Sequence, residues 1–301
     1  MPRYTLYQVD AFTRTKFEGN PAGVVSDADG LTEKQMQAIA REMNNSETAF
    51  ILSPASADHD VWVRFFTPTV EVPICGHATI SAHFVRALEK NLPSCRIYHK
   101  TGAGILPVEI VKRESGYKIV MTQGKITVSE TLTEGVKKGI QKALDLSDTD
   151  MDGRFPLQVA STWHSKVMVG IRERSVLHAL KPDMTALSAL SRVIGSNGFY
   201  VFTTDSDDKD IMFHGRMFAP AIGINEDPVT GNANGPLGAY LIHNGILSPG
   251  KGGILQFSAK QGEAIGRPGI IDITVETEDG KPVLVKVAGE AVIAFRTEIE
   301  I

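Results

Sequence analysis

The chain has little cysteine for its 301 residues. The only two cysteines, Cys75 and Cys95, cannot form the disulfide framework of a small secreted protein. Their spacing from the histidines does not match that of a zinc site, and His77 and His83 would lie on different faces of a helix. The sequence therefore predicts no metal.

Long apolar runs and an excess of basic charge are also missing. No run approaches the length of a membrane span, and the start at Met1 to Thr5 lacks the apolar core of a signal peptide. We therefore expect a cytoplasmic protein without membrane contact. Lysine and arginine number 31 against 35 acidic residues, which argues against nucleic acid as a partner.

The composition present is that of a globular protein, with 42% hydrophobic and 22% charged residues. The length leaves room for two domains of roughly 150 residues each.

The most informative stretch runs from Phe66 to Thr79. A β-branched and aromatic segment ends before Pro68, and a helical pattern begins at Gly76 and His77. The first N–H groups of a helix have no internal partner and carry the positive end of its dipole, so a carboxylate or phosphate is their natural ligand. Apolar residues follow on nearly every side of this helix, which predicts that it is buried inside a shell of strands.

A similar stretch occurs again in the second half of the chain. Phe218-Ala219-Pro220 corresponds to Phe66-Thr67-Pro68, and Gly231-Asn232-Ala233 corresponds to Gly76-His77-Ala78. A proline-bounded loop before a helix is common, so either copy alone is weak evidence. Together they predict two related domains facing one cleft.

Two polar residues in the first half are candidates for a site. Glu47 lies at the mouth of a predicted strand, Ser46 to Leu52, whose two faces are both mostly apolar. Burial raises the pKa of a carboxylate and suits it for proton transfer near neutral pH. The simpler alternative is a glutamate at a strand edge, exposed or paired with a basic residue. Asn20, between Gly19 and Pro21, is most simply a turn residue, although its amide could face a ligand.

A series of short motifs follows in order along the chain. These motifs are Asp10-Ala11-Phe12, Gly19-Asn20-Pro21, Asn45-Ser46-Glu47-Thr48-Ala49-Phe50, Phe66-Thr67-Pro68, Cys75-Gly76-His77, Glu226-Asp227-Pro228-Val229-Thr230-Gly231, Gly235-Pro236-Leu237 and Gly266-Arg267-Pro268. Each is unspecific alone, but the ordered set covers nearly the whole chain. It resembles the PhzF-type family, the phenazine-biosynthesis-like isomerases.

The resemblance implies an α+β fold of the diaminopimelate epimerase-like type. In that fold two pseudo-symmetric domains each roll a mixed sheet around a central helix, and the active site lies between them. We place the first domain at 1–123, with a strand at 289–301 returning to it, and the second at 124–288. Members of the family are typically homodimers that work without a cofactor, so we expect both properties here.

The resemblance also implies roles for single residues. Glu47 corresponds to the glutamate that moves a proton between two carbons of the substrate. His77 and Asp227 would orient polar groups of the substrate or share the proton. The residues expected to bind the substrate are Asn20, Gly76, Gly231, Asn232 and Ala233. The implied function is a cofactor-independent proton shift on a small carboxylated substrate.

Two positions depart from the phenazine enzyme, which has Gly-Ser where this chain has Gly231-Asn232 and alanine where it has Cys75. Cys-Gly-His also resembles proline racemase and diaminopimelate epimerase, in which two cysteines flank the substrate carbon. No thiol occurs between Thr230 and Ala233, so two-thiol racemisation is excluded. We predict that Cys75 is a small buried residue.

A hypothesis from another class is a non-catalytic protein that binds a small acid in the same cleft or serves in interactions. The joint presence of Glu47, His77 and Asp227 argues for catalysis, because binding alone would not require all three.

Overall fold

Each half of the chain surrounds one apolar helix with strands, in a computed structural model that describes residues 1–301. Contacts divide the chain into two units, Met1–Thr122 with Ala288–Ile301, and Gln123–Val287. The boundary placed from the sequence, after residue 123, differs from this one by a single residue. None of the helices combines the length and apolar character that a membrane span needs.

The first unit contains eight strands and two helices, followed at the end of the chain by most of β17. They are β1 Arg3–Ala11, β2 Asn20–Val25, α1 Glu33–Met43, β3 Thr48–Leu52, β4 Val61–Phe66, β5 Glu71–Val72, α2 Gly76–Glu89, β6 Cys95–Thr101, β7 Gly104–Arg113 and β8 Gly116–Thr122.

The second unit contains the remaining α-helices and strands. They are β9 Thr127–Val128, α3 Glu134–Leu144, β10 Gln158–Ser161, β11 Lys166–Gly170, α4 Arg174–Ala179, α5 Met184–Ile194, β12 Phe199–Thr203, β13 Phe213–Ala219, β14 Ile224–Asp227, α6 Gly231–His243, β15 Ile254–Gln261, β16 Gly269–Glu278 and the start of β17, Lys281–Glu300.

Strand pairing in the first unit alternates in direction. β1 is antiparallel to β17 and β2, β2 is parallel to β3, β3 is antiparallel to β4, β4 is parallel to β6, and β6 is antiparallel to β7. In the second unit β10, β11, β12, β13, β15 and β16 pair in the same succession of antiparallel and parallel contacts. The fold is therefore a mixed α/β arrangement with few helices, in which parallel and antiparallel pairs share one sheet.

Helix α1 has a local capping contact at each end. Thr32 Oγ1 accepts a hydrogen bond from the Gln35 main-chain N–H, and Gln35 Oε1 accepts one from the Thr32 N–H, which completes a capping box. Asn44 ends the helix in the left-handed conformation, at φ 51°. Its buried residues Met36, Ile39 and Ala40 form one apolar stripe.

Helices α2 and α6 are the apolar centres of the two units. Ten residues of α2 are buried, and the helix packs against β1, β2, β3, β7 and β8, which confirms the burial predicted for it. Helix α6 packs against β9, β10, β11 and β16. A Cβ atom on Gly238 would lie 2.6 Å from the Val275 side chain, so only glycine lets α6 approach β16 this closely.

A pair of histidines is enclosed between α2 and β6. His83 and His99 are fully buried, with His83 Nε2 3.2 Å from His99 Nδ1. The other ring nitrogen of each has no hydrogen-bond partner. Burial lowers the pKa of both rings, that of His99 to about 4, and the neighbouring charges of His99 and Arg86 lower the pKa of His83 further.

Lowering the pH should therefore reduce the free energy of unfolding of the first unit before its carboxylates become protonated. The pKa of His99 is about 4 in the folded chain and about 6.5 in the unfolded one. The unfolded chain thus binds more protons below pH 6.5. The free energy of unfolding is fully maintained above that pH and falls towards pH 4, by about 1.4 kcal/mol per pH unit for each histidine. Urea unfolding between pH 7.5 and pH 4.5 measures this slope.

A matched pair of variants tests whether the buried histidines cause this pH dependence of stability. His99→Phe removes one titrating group and should reduce the slope clearly, whereas His243→Gln, at an exposed position, should leave it unchanged. A His99→Phe slope equal to that of the wild type would contradict the prediction.

Candidate active site

Glu47 immediately precedes β3 and is held by the neighbouring strand β2. The Gly23 main-chain N–H donates to the Glu47 carbonyl oxygen at 3.2 Å. A Cβ atom on Gly23 would lie 2.6 Å from Thr48 Oγ1, so glycine is required where β2 meets β3. The backbone of Glu47 is therefore held in place by the close pairing of β2 with β3.

His77 lies in the first turn of α2, opposite the carboxylate of Glu47. His77 Nε2 is 3.3 Å from Glu47 Oε2 and 3.2 Å from Ser46 Oγ. The side chains of His77 and Glu47 are 9% and 17% exposed, so the pair is shielded but reachable. An ionised carboxylate only accepts hydrogen bonds, so Nε2 is the nitrogen that carries the hydrogen towards Glu47. The two groups are placed to exchange a proton.

Cys75 is buried at the N-cap of α2, which confirms the prediction of a small buried residue. Its Sγ lies 3.4 Å from His77 Nδ1. With the hydrogen of the neutral ring on Nε2, Nδ1 is an acceptor, and the thiol can donate to it. Contact with the imidazole was not predicted, because residues two apart at a helix start are not expected to face each other.

Glu47, Cys75 and His77 also form a cluster that could hold a metal ion. One ligand atom from each lies within 4.8 Å of the other two. Thiolate, imidazole and carboxylate are the groups that bind zinc in proteins. The prediction of no metal used cysteine and histidine spacing alone, which could not show that folding brings Glu47 to this pair. The spacing argument therefore does not exclude a metal at this cluster.

Asp227 ends β14 and is braced by residues around the start of α6. The Thr230 hydroxyl donates to Asp227 Oδ2, and Gln261 Nε2 donates to the Asp227 carbonyl oxygen at 2.7 Å. Gln261 is completely buried, and its Oε1 accepts from the Thr230 N–H and from Asn234 Nδ2. The side chain of Gln261 therefore links the Asp227 loop to the start of α6 by hydrogen bonds.

A second amide holds the first residue of α6. Gln123 Nε2 donates to the Gly231 carbonyl oxygen at 3.0 Å, and Thr162 Oγ1 donates to Gln123 Oε1 at 2.7 Å. A Cβ atom on Gly235 would overlap the Gln123 side chain, so a larger residue there would displace Gln123 from these contacts.

The residues predicted for the site fall into two groups, one in each unit. In the first unit, Glu47 and His77 are in contact, Gly76 begins α2, and Asn20 is the first residue of β2, 1% exposed. In the second unit, Asp227 lies three residues before the N-cap of α6. The first turn of that helix holds the buried Gly231 and Ala233 and the partly buried Asn232.

Both helices begin where the sequence predicts, at Gly76 and Gly231. Cys75 and Thr230 precede them in extended conformation, and neither caps the helix with its side chain.

The model of the family described as phenazine biosynthesis-like protein matches residues 9–297. The chain belongs to this family. An uncharacterized isomerase from Clostridium acetobutylicum is 57% identical over 297 residues, covering 99% of this chain and 98% of that protein. The trans-2,3-dihydro-3-hydroxyanthranilate isomerase of Pseudomonas chlororaphis is 33% identical over 291 residues, covering 97% of each chain.

A solved structure supports the same family. The PhzF-family phenazine biosynthesis protein of Bacillus anthracis superposes with a TM-score of 0.88 at 29% identity and covers 100% of both chains. Together with the isomerase names of its relatives, this makes the chain an isomerase of the PhzF type.

Some residues of the candidate site carried no usable signal in the sequence. Ser46 and Thr230 lie inside the motifs, yet nothing indicated that their hydroxyls contact His77 and Asp227. Gln261 lies far along the chain from Thr230, and the two meet because β13 pairs with both β14 and β15.

Proposed function

We propose that the chain is a cofactor-independent isomerase that shifts a proton on a small carboxylated substrate, with Glu47 as the proton carrier. The contact of Glu47 with His77, 3.3 Å in a shielded position, is the observation that carries the proposal. The name of the Pseudomonas chlororaphis relative, an isomerase of a hydroxyanthranilate, supports a carboxylated substrate.

The proton balance of the step is simple. Glu47 takes a proton from one carbon, and the electron pair of that C–H bond stays in the substrate as a delocalised anion. The protonated Glu47 exchanges its proton with solvent, then donates a proton that forms a C–H bond at another carbon, and Glu47 returns to the carboxylate. His77, through its Nε2 hydrogen, orients Glu47 and stabilises its carboxylate before the first transfer and after the second.

Proton transfer by Glu47 alone cannot account for the full rate acceleration of the proposed reaction. A positioned acid or base contributes about 10²- to 10⁴-fold, so the developing negative charge needs its own stabilisation. Main-chain N–H groups at the starts of α2 and α6 are suited to that task, at roughly 3 to 4 kcal/mol for each well-placed donor. In this proposal Asp227, held by Thr230 and Gln261, orients polar groups of the substrate.

The same resemblance supports further proposals about the molecule. We propose that the two units are pseudo-symmetric domains, which is supported by their common succession of strand pairings. The substrate cleft between them, the homodimer and the cytoplasmic location stay predictions.

Isotope exchange tests the proposed function without knowledge of the physiological substrate. The protein is incubated in D₂O with a panel of small carboxylic acids, and each acid is analysed by NMR and mass spectrometry. We expect deuterium to enter a carbon position of at least one acid that binds. Panel members without protein, and their methyl esters with protein, are the controls. Acids that bind but take up no deuterium at carbon would contradict the proposal.

A further inference from the structure

Lys166 is a buried cation that the proposed reaction does not yet use. It is the first residue of β11 and is 3% exposed. Its Nζ donates to the carbonyl oxygens of His164 and Ser165, at 3.5 and 3.2 Å, in the turn just before the strand. Burial lowers the pKa of Lys166 to about 8, while the charge of Asp227 acts in the opposite direction. The side chain is therefore still cationic at neutral pH.

The position of Lys166 in its unit matches that of Asn20 in the other. Asn20 is the first residue of β2 and lies opposite Ala11 on the antiparallel strand β1. Lys166 is the first residue of β11 and lies opposite Ala160 on the antiparallel strand β10. Both strands then pair in parallel with the next strand, β2 with β3 and β11 with β12. Lys166 thus occupies the place in the second unit that a predicted substrate-binding residue occupies in the first.

Other contacts bring the surroundings of Lys166 to the start of α6. The segment before it is joined to that helix through Thr162, Gln123 and the Gly231 carbonyl oxygen. Helix α6 also packs against β11 itself. A carboxylate arriving near Asp227 would be repelled unless a positive charge lay beside it. Lys166 supplies such a charge from a dry position, where an ionic interaction is screened less than at the surface.

We propose that Lys166 is a substrate-binding residue whose ammonium group pairs with the carboxylate of the substrate. The inference rests on the proposed function, which supplies a carboxylated substrate. It also assigns a task to a side chain whose burial is unfavourable for stability, because hydrogen bonds to two carbonyl oxygens recover only part of the lost hydration of an ammonium.

Binding of acids and of their neutral amides tests the pairing directly. The wild type, Lys166→Met, Lys166→Arg and the exposed control Lys209→Met are titrated calorimetrically at pH 7. The probes are the panel's carboxylic acid that binds best and its primary amide. The wild type and Lys209→Met should prefer the acid, and Lys166→Met should bind it at least about tenfold more weakly, on the scale of one charged hydrogen bond. Circular dichroism and thermal melting check that each variant is folded.

The pH dependence separates binding from a merely structural role. Acid binding by the wild type should weaken above about pH 8 as Lys166 loses its proton. Lys166→Arg stays charged and should bind across that range without the decline. The comparison of the wild type with Lys166→Arg still tests the proposal if Lys166→Met does not fold.

Three results would overturn the inference. They are unchanged acid binding by folded Lys166→Met, no preference of the wild type for any acid over its amide, and identical pH profiles for the wild type and Lys166→Arg. Failure of the proposed function would appear differently, as acids that bind through Lys166 but never exchange deuterium.

Discussion

Glu47→Gln is expected to slow solvent-deuterium exchange into the substrate by about 10²- to 10⁴-fold, the contribution of a positioned acid or base. Glutamine has nearly the shape of glutamate, and its carbonyl oxygen can still accept a hydrogen bond from His77 Nε2, which now lies 3.3 Å from the carboxylate. The amide cannot take up a proton from carbon at neutral pH. Binding of the acid and the thermal midpoint should therefore change little while exchange is lost.

A second glutamate provides the matched control. Glu42 on α1 is exposed, so Glu42→Gln makes the same chemical change away from the candidate site and should exchange deuterium at the wild-type rate. Glu47→Asp keeps the charge but moves the carboxylate away from His77, and we expect an intermediate rate. Wild-type exchange by Glu47→Gln would remove Glu47 from its proposed role and leave His77 or Asp227 as the remaining candidates.

The parts of the fold that could be predicted are those with local signals. The capping box of Thr32 and Gln35 marks the start of α1, and the glycines at 76 and 231 mark the starts of α2 and α6. These features depend on neighbours only a few residues away. Helix α4, Arg174–Ala179, was not predicted because its six residues have no such signal. The carbonyl oxygens at its C-terminal end accept hydrogen bonds from Arg216 on β13, which lies far along the chain.

The candidate site could be predicted only in part, for the same reason. Glu47, His77 and Asp227 were found through motifs, but the contact of Cys75 with His77 depends on how the chain turns into α2. Lys166 was not among the predicted site residues, because a lysine in a sequence is usually exposed. Its burial follows from the place of β11 inside the sheet, which no local pattern reports.

The ion pair between Arg216 and Glu226, next to Asp227, should give the largest change in stability that we expect. Arg216 on β13 forms two hydrogen bonds with the carboxylate of Glu226, at 2.9 and 2.7 Å, and its Nη1 donates to the carbonyl oxygens of Leu177 and Leu180. The arginine and glutamate side chains are 8% and 10% exposed. Glu226 is the neighbour of Asp227 on β14, so this ion pair fixes the strand that carries a candidate catalytic residue.

Arg216→Met should lower the free energy of unfolding by about 3 to 5 kcal/mol, because it leaves the buried Glu226 charge without its partner. Urea unfolding measures the change. Arg174→Met removes a pair with the exposed Asp207 and should have an effect within about 1 kcal/mol. The double variant Arg216→Met with Glu226→Met removes both charges and should recover much of the lost stability. A loss below 1 kcal/mol in Arg216→Met, or no recovery in the double variant, would show that the unpaired carboxylate is not what destabilises the unit.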